Sequence, residues 1–190
     1  MNVREAIEKR RTIRKFTQEV IDLATLHELI DCARLAAYGA NLQPLKFMAV
    51  NEADKVSEMF TFTKWAGYLP DGSPKEDEQP TSYIVVLGDT NIKKNGEFEV
   101  DAGAAVTNMM LRATELELGT CWLGAINREG IKNLLNLPEN LKVLYLLAVG
   151  VPAQESRACN MEDGNVKYYE DGNGGICVPK RSLEEIIVED

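Results

Sequence analysis

The chain has 190 residues, with 21 basic and 30 acidic side chains and a formal net charge of −9 at pH 7. Hydrophobic residues make up 45% of it and charged residues 27%, as in globular proteins, so we expect one folded domain over residues 1–190. An acidic chain repels phosphodiester backbones and no apolar run is long enough to span a membrane, so neither nucleic acid nor a membrane is an expected partner.

The charge is unevenly distributed. Residues 1–16 carry six basic and two acidic side chains, a local charge of +4, so the remainder carries −13. A second basic pair, Lys180-Arg181, lies near the other end of the sequence. Guanidinium groups bind phosphate bidentately, so two basic clusters on an acidic chain indicate a small anionic ligand. The alternative is solvated surface charge.

The first third of the chain predicts two helices, a strand and a third helix. Asn2 and Glu5 form a capping box for a short helix that ends at the basic residues 10–14. Asp22 caps a second helix, which we expect to end at Gly39. A strand over Phe47–Asn51 and a helix over 52–60 follow.

The middle of the chain alternates polar and buried segments. A polar loop, Leu69–Pro80, precedes a buried strand over Tyr83–Leu87. Next comes the longest helix, Phe98–Leu118, which we expect Gly119 to cap. Its small residues Asp101–Ala105 allow another backbone to approach closely, for intrachain packing, a partner helix or a flat ligand.

The last third predicts short elements separated by turns. These are a strand or extended segment at Thr120–Gly124, a helix from Asn127 to Leu135, an apolar strand at Leu144–Gly150 and a final helix opened by the capping box of Ser182 and Glu185. Residues 153–177 carry turn signals at Asp163-Gly164, Asp171-Gly172 and Asn173-Gly174, and form either a flap or a surface hairpin.

Several kinds of site are not expected. The four cysteines show no CxxC spacing, and we expect reduced thiols rather than a disulfide framework. The single histidine, His27, cannot build a histidine-rich metal site, and we predict no metal. The start lacks the apolar region of a secretory signal, and we expect a cytoplasmic protein.

The motif order resembles that of the FMN-dependent nitroreductase family. The family's opening RRS[IV]RxF motif corresponds to Arg10–Phe16, and its APSxxNxQPW motif corresponds to Ala36–Leu45. A run of the form DxGxAxxNxxLxA ending in GxCWxG corresponds to Asp101–Gly124. The segments Leu134–Pro138 and Pro179–Ile186 complete the series, in the family's order. Tyr38 and Leu45 depart from the family pattern, which puts the substrate's shape in question more than the binding of FMN.

This resemblance implies an α+β fold, with a central, mainly antiparallel mixed sheet wrapped by helices, in an intertwined homodimer. Two FMN sites would lie at the dimer interface. By resemblance the cofactor-binding residues are Arg10, Arg11, Thr12, Arg14, Gly39, Asn41, Gln43, Leu123, Gly124, Lys180 and Arg181.

The resemblance also implies a role for each group of residues. Arg10, Thr12 and Arg14 would contact the ribityl phosphate and the pyrimidine edge, and Lys180 and Arg181 would close on the phosphate. The turn with Asn41 would reach the flavin of the other subunit, and the Leu123–Gly124 backbone would face the ring near N5. No catalytic side chain is predicted, because hydride transfer is the chemistry of the cofactor.

The expected function is ping-pong transfer of hydride from NADH or NADPH, through FMN, to a nitroaromatic, quinone or similar small molecule. Three alternatives stay open: a non-catalytic FMN-binding dimer that stores or senses flavin, a reductive dehalogenase or oxidase on the same fold, and an anion-binding module without flavin. Lys64 and Trp65 lie where the family varies its substrate cover, and the sequence does not choose between NADH and NADPH.

Overall fold

The computed structural model describes residues 1–70, 72–172 and 174–189. Its helices and strands are, in chain order, α1 (Val3–Lys9), α2 (Leu23–Arg34), β1 (Leu45–Val50), α3 (Ala53–Thr61), β2 (Ser82–Asp89), α4 (Glu99–Glu115), β3 (Gly119–Leu123), α5 (Arg128–Leu134), β4 (Leu141–Gly150), β5 (Ser156–Asn160), β6 (Tyr169–Glu170), β7 (Ile176–Lys180) and α6 (Leu183–Ile186).

Two sheets organise these strands. The larger has the order β1-β2-β4-β3, and each neighbouring pair in it is antiparallel. The smaller has the order β5-β7-β6, with β5 parallel and β6 antiparallel to β7. Helices pack on the larger sheet, so the predicted α+β class with a mainly antiparallel sheet is confirmed.

The larger sheet is covered on both faces, which explains its continuous apolar strands. Side chains alternate across a strand, so Ile84 and Val86 face one side while Tyr83 and Val85 face the other. The first face packs against α2 and α4, and the second against α3 and α5. The largest fully buried side chains of these layers are Tyr83, Phe16, Phe98, Leu26, Leu29, Met59, Ile84, Leu87, Met109, Ile131, Leu146 and Leu147.

The predicted helix starts agree with the structure. The side chain of Asn2 accepts from the Glu5 N–H, and Glu5 accepts from the Asn2 N–H, which completes a capping box. Asp22 and Asn127 accept the N–H groups of Thr25 and Gly130. Ser182 and Glu185 form the second capping box.

Two predicted helix ends were wrong. Helix α2 ends at Arg34, before Gly39, and the hydroxyl of Tyr38 donates to the carbonyl of Ala33 in its last turn. Helix α4 ends at Glu115, and Glu117, with φ of 61°, takes the left-handed position expected for Gly119. Gly119 instead begins β3, where a Cβ would lie 2.8 Å from the side chain of Ile13.

The polar loop at 69–80 is fastened to the chain after α1. The Phe16 N–H donates to the carbonyl of Glu78, and Lys15 forms an ion pair with the Glu78 side chain at 3.2 Å. The amide of Gln18 donates to the carbonyls of Asp77 and Gln79. Asp71, in the same loop, lies outside the described residues.

The expectation of reduced thiols was wrong for one pair of cysteines. Cys159 and Cys177 form a disulfide with a Cα–Cα distance of 5.9 Å. The parallel pairing of β5 with β7 brings together residues 18 positions apart, a contact that cysteine spacing does not encode. Cys32 and Cys121 are free thiols.

The insertion at 153–177 contains a hairpin, but within a three-stranded sheet. Residues 171–175 connect β6 to β7, with Gly172 in the left-handed region and the carboxylate of Asp171 accepting the Gly175 N–H. Asp163 and Gly164 also form a left-handed turn. The predicted turn residue Asn173 lies outside the described residues.

Among the helices that the structure describes, each is too short or too polar to cross a bilayer.

Candidate functional site

The basic segment after α1 is held against the outer edge of β3. Thr12 forms a parallel bridge with Thr120, and the Ile13 N–H donates to the Thr120 carbonyl at 2.9 Å. The Arg14 N–H donates to the side chain of Gln154 at 3.0 Å. These bonds fix the backbone of residues 10–14, so the side chains start from a rigid element.

Arg10 and Arg11 are partly buried without a carboxylate partner among the described residues. Burial lowers the pKa of both guanidinium groups, and the charge of Arg11 further lowers that of Arg10. An Nη2 N–H of Arg11 donates to the carbonyl of Glu8 at 2.7 Å, near the end of α1. Its Nε is buried and has no hydrogen-bond partner within the part of the chain described. Such an arrangement is costly unless an anion completes it.

A cavity of about 390 Å³ opens beside these arginines. Ser156 also lines it, and the Ser156 hydroxyl is buried with no partner among the described side chains and backbone. Its charged lining is mixed, with four basic and three acidic residues: Lys9, Arg10, Arg11, Arg157, Glu117, Glu155 and Asp171. Basic side chains and orphan donors together make this a candidate anion site.

Arg14 lies in a separate, aromatic environment. Its Cζ lies 4.3 Å from the centre of the Tyr168 ring, a cation–π contact, and Tyr168 packs on Tyr68 with a centroid distance of 5.1 Å. Arg14 Nη1 is buried without a hydrogen-bond partner in residues 1–70, 72–172 and 174–189. The guanidinium face is therefore used by Tyr168, and one edge nitrogen has no acceptor among the described residues.

The thiol of Cys121 lies buried near Arg14. Burial raises its pKa to about 12, against a smaller lowering by the Arg14 charge. The thiolate is the nucleophilic form of cysteine, so this side chain is inert at neutral pH.

The end of β3 forms the wall of a second cavity, of about 440 Å³. The carbonyl of Gly124 accepts from Arg128, and the Lys64 N–H donates to the carbonyl of Ala125 at 3.0 Å. A Cβ at Gly124 would make only ordinary contact, at 3.6 Å, with Tyr145. The folded chain therefore does not itself require glycine at position 124. The side chain of the preceding residue, Leu123, is buried.

The turn that carries the candidate amides has a left-handed backbone. Ala40, Asn41 and Gln43 have φ of 50°, 54° and 51°, a conformation that costs non-glycine residues energy. The side chains of Asn41 and Gln43 are exposed, while Gly39 has an ordinary φ and donates its N–H to Asp101. Among the described residues, no hydrogen bond or ion pair joins this turn to residues 10–14 of the same chain.

Lys180 and Arg181 stand apart from the other candidate cations. Both are exposed, and Arg181 forms an ion pair with Glu185 at 3.4 Å. Neither lines the cavity beside Arg10, where Arg157 and Ser156 take part instead. No sequence signal singled out Arg157 or Ser156, because their approach depends on the pairing of β5 with β7. Residues 1–70, 72–172 and 174–189 hold no cluster of three or more metal-ligating side chains.

The chain is similar in sequence to redox proteins. The sequence profile described as the Nitroreductase family matches residues 7–151. A protein of Archaeoglobus fulgidus that carries a provisional NADH dehydrogenase/NAD(P)H nitroreductase name is 31% identical over 163 residues, covering 81% of this chain and 87% of that protein. The FMN reductase (NADPH) of Bacillus subtilis is 24% identical over 176 residues, covering 82% and 68% of the two chains.

A solved structure extends the likeness to the fold. The FMN-dependent nitroreductase of Clostridium difficile R20291 superimposes with a TM-score of 0.68 at 25% identity, covering 88% of this chain and 98% of that one. With the family profile spanning most of the chain and the fold shared, this protein belongs to the nitroreductase family.

Proposed function

We propose that this chain is an FMN-dependent oxidoreductase that takes hydride from NADH or NADPH and passes it to a nitroaromatic, quinone or similar small acceptor in a ping-pong cycle. The observation that carries the proposal is the set of partly buried arginines along β3, in which Arg11 Nε and Arg14 Nη1 are buried without a hydrogen-bond partner among the described residues. Relatives named FMN reductase and FMN-dependent nitroreductase support the choice of FMN as the missing anion.

The residues at this edge fit a flavin phosphate. A dianion is costly to bury unless paired cations surround it, and Arg10 and Arg11 supply two at the cavity. The buried Nε of Arg11 and the buried hydroxyl of Ser156 supply two hydrogen-bond donors that lack acceptors in the described chain. We propose that Arg10, Arg11 and Thr12 bind the ribityl phosphate, with Lys180 and Arg181 closing on it.

The remaining residues would orient the ring system. We propose that Arg14 lies at the pyrimidine edge, which its unpartnered Nη1 supports, and a nearby cation raises a flavin's electron affinity. We propose that the Leu123–Gly124 backbone faces the ring, since glycine at 124 leaves room that the chain itself does not need. Bound FMN would accept and donate hydride at N5, so no protein acid or base is required.

We further propose that the protein acts as a homodimer in which the exposed turn carrying Gly39, Asn41 and Gln43 reaches the flavin site of the other subunit. Helices α1 and α4 pack together and expose apolar side chains, with Val3 72% and Val100 85% accessible. A Cβ at Gly103, on α4, would meet no atom within 4 Å. Exposed apolar side chains beside open space are typical of an interface.

We also propose a cytoplasmic site of action, in keeping with the proposed use of NADH or NADPH.

The test is anaerobic reduction of the purified protein with each nucleotide. We expect a yellow protein whose flavin absorbance bleaches with NADH or NADPH and returns when a nitroaromatic or quinone is added. Yellow protein that neither nucleotide bleaches would identify a flavin store or sensor instead. Return of colour only with halogenated aromatics, or only with oxygen, would identify the dehalogenase or oxidase alternative.

A double variant tests the site. Arg10→Ala with Lys180→Ala should yield colourless apoprotein, because it removes one cation from each basic cluster. Arg4→Ala with Lys55→Ala is the matched control, since both side chains are exposed and neither lines the cavity. Wild-type FMN content in the Arg10/Lys180 variant would refute the phosphate assignment.

A further inference from the structure

A buried carboxylate that the proposed chemistry does not use lies beneath the turn at 39–43. Asp101, in the first turn of α4, is only 2% exposed. Its Oδ1 accepts the backbone N–H of Gly39 at 3.1 Å, and its Oδ2 accepts from Nζ of Lys93 at 2.9 Å. Because a buried charge is costly unless it is fully paired, the carboxylate, the ammonium and the turn constrain one another.

The turn needs such a constraint. Ala40, Asn41 and Gln43 all lie in the left-handed region, which side chains other than glycine rarely adopt. Strained backbone of this kind persists only where the surrounding structure holds it, and it concentrates at functional sites.

The bond to Asp101 ties the turn to a distant part of the chain. Within the turn, the Asn41 N–H donates to the Tyr38 carbonyl and the Leu42 N–H to the Gly39 carbonyl. These bonds shape the loop locally, but they do not orient it relative to the sheet. The bond from Gly39 reaches a helix 62 residues away in sequence that packs in the core, so it fixes the start of the turn, while β1, from Leu45, holds the other end.

We propose that Asp101, backed by Lys93, is a positioning residue that presents the Asn41 and Gln43 amides to a flavin bound at the partner subunit. This inference rests on the function proposed above. Asp101 acts through the turn: it touches neither cofactor nor acceptor, and its charge is compensated inside the chain by Lys93.

The test compares two aspartates that both lie in the first turn of a helix. Asp101→Asn keeps the size of the side chain but replaces Oδ1 or Oδ2 by a donor that opposes Gly39 or Lys93. Asp54→Asn, in the first turn of α3 and exposed, is the control. We expect Asp101→Asn to raise the dissociation constant for FMN about tenfold, measured by flavin fluorescence on apoprotein, and Asp54→Asn to leave it unchanged.

A double-mutant cycle separates positioning from general stability. Asn41→Gly removes the amide while suiting the left-handed backbone. If Asp101 acts through Asn41, the Asp101→Asn effect on FMN affinity should shrink in the Asn41→Gly background. Hydrogen exchange of the Gly39 amide should accelerate in Asp101→Asn and not in Asp54→Asn.

Lys93→Gln provides a second variant should Asp101→Asn fail to fold, because it frees the other carboxylate oxygen and should shift FMN affinity in the same direction. Wild-type FMN affinity in the folded variants would overturn the positioning role, and so would full additivity of the effects of Asp101→Asn and Asn41→Gly on FMN affinity. In either case, bleaching of the wild-type protein would still uphold the proposed function. A wild-type protein that binds no FMN overturns both.

Discussion

The two basic clusters of this chain look alike in sequence but differ in their surroundings. Arg10 and Arg11 are partly desolvated, anchored to β3 through the segment they belong to, and border a cavity. Lys180 and Arg181 are exposed, and Arg181 is already paired with Glu185. A charge gains more from binding an anion where water is scarce, so the first cluster should dominate cofactor affinity.

The largest effect is expected at Arg10. Arg10→Ala removes a partly buried cation from the cavity and should weaken FMN binding about 100-fold, since hydrogen bonds to charged groups are strong. Fluorescence titration of apoprotein with FMN measures it, with the exposed Arg4→Ala as control. An unchanged dissociation constant would remove the distinction between the two clusters.

Arg14 should affect the redox properties more than the affinity. Arg14→Met removes the cation proposed for the pyrimidine edge and should lower the flavin midpoint potential by about 30 mV, the equivalent of a tenfold change for two electrons. Arg14→Lys, which keeps the charge, should shift the potential less. Equal potentials in wild type and Arg14→Met would place this cation away from the ring.

The pH dependence of the unfolding free energy tests how strongly the Cys121 thiol is desolvated by burial. Its pKa rises from 9.0 when unfolded to about 12 when folded, so the neutral thiol stabilises the fold below pH 9 and this contribution is lost as the pH rises towards 12. At pH 10 the wild type should have lost about 1 kcal/mol of unfolding free energy that Cys121→Ala does not lose. Urea unfolding of both proteins at pH 7 and pH 10 measures the difference, and parallel pH dependences would mean a hydrated thiol.

The smallest effect is expected for the exposed pair. Lys180→Ala with Arg181→Ala should weaken FMN binding only about threefold, because solvent-exposed charges contribute little. The effect should vanish at high salt, whereas that of Arg10→Ala should largely remain. A loss as large as that of Arg10→Ala would show that the clusters converge on the phosphate in the dimer.

Local signals in the sequence predicted local structure well. The helix starts were marked by capping residues, because capping is decided within four residues. These are Asn2 with Glu5, Asp22, Asn127, and Ser182 with Glu185. The buried strand at 83–87 was recognisable because both its faces are apolar. The family motifs predicted the fold class.

Features set by tertiary contacts were not predictable. Gly119 resembled a helix cap, but it is required by the side chain of Ile13, which another segment places there. The Cys159–Cys177 bond and the approach of Arg157 to the cavity depend on a parallel pairing of distant strands. The proposed role of Asp101 beneath the turn at 39–43 likewise depends on a contact between residues 62 positions apart.

The attachment of residues 10–14 to β3 has a consequence for solubility. β3 is the outermost strand of its sheet, and an outer strand with unpaired backbone groups is a template for pairing with another chain. The bridge between Thr12 and Thr120 covers part of that strand with a segment too charged to recruit a further one. The same arginines that are proposed to hold a cofactor would therefore also guard the sheet against aggregation, and a protein stripped of its N-terminal segment should precipitate before it unfolds.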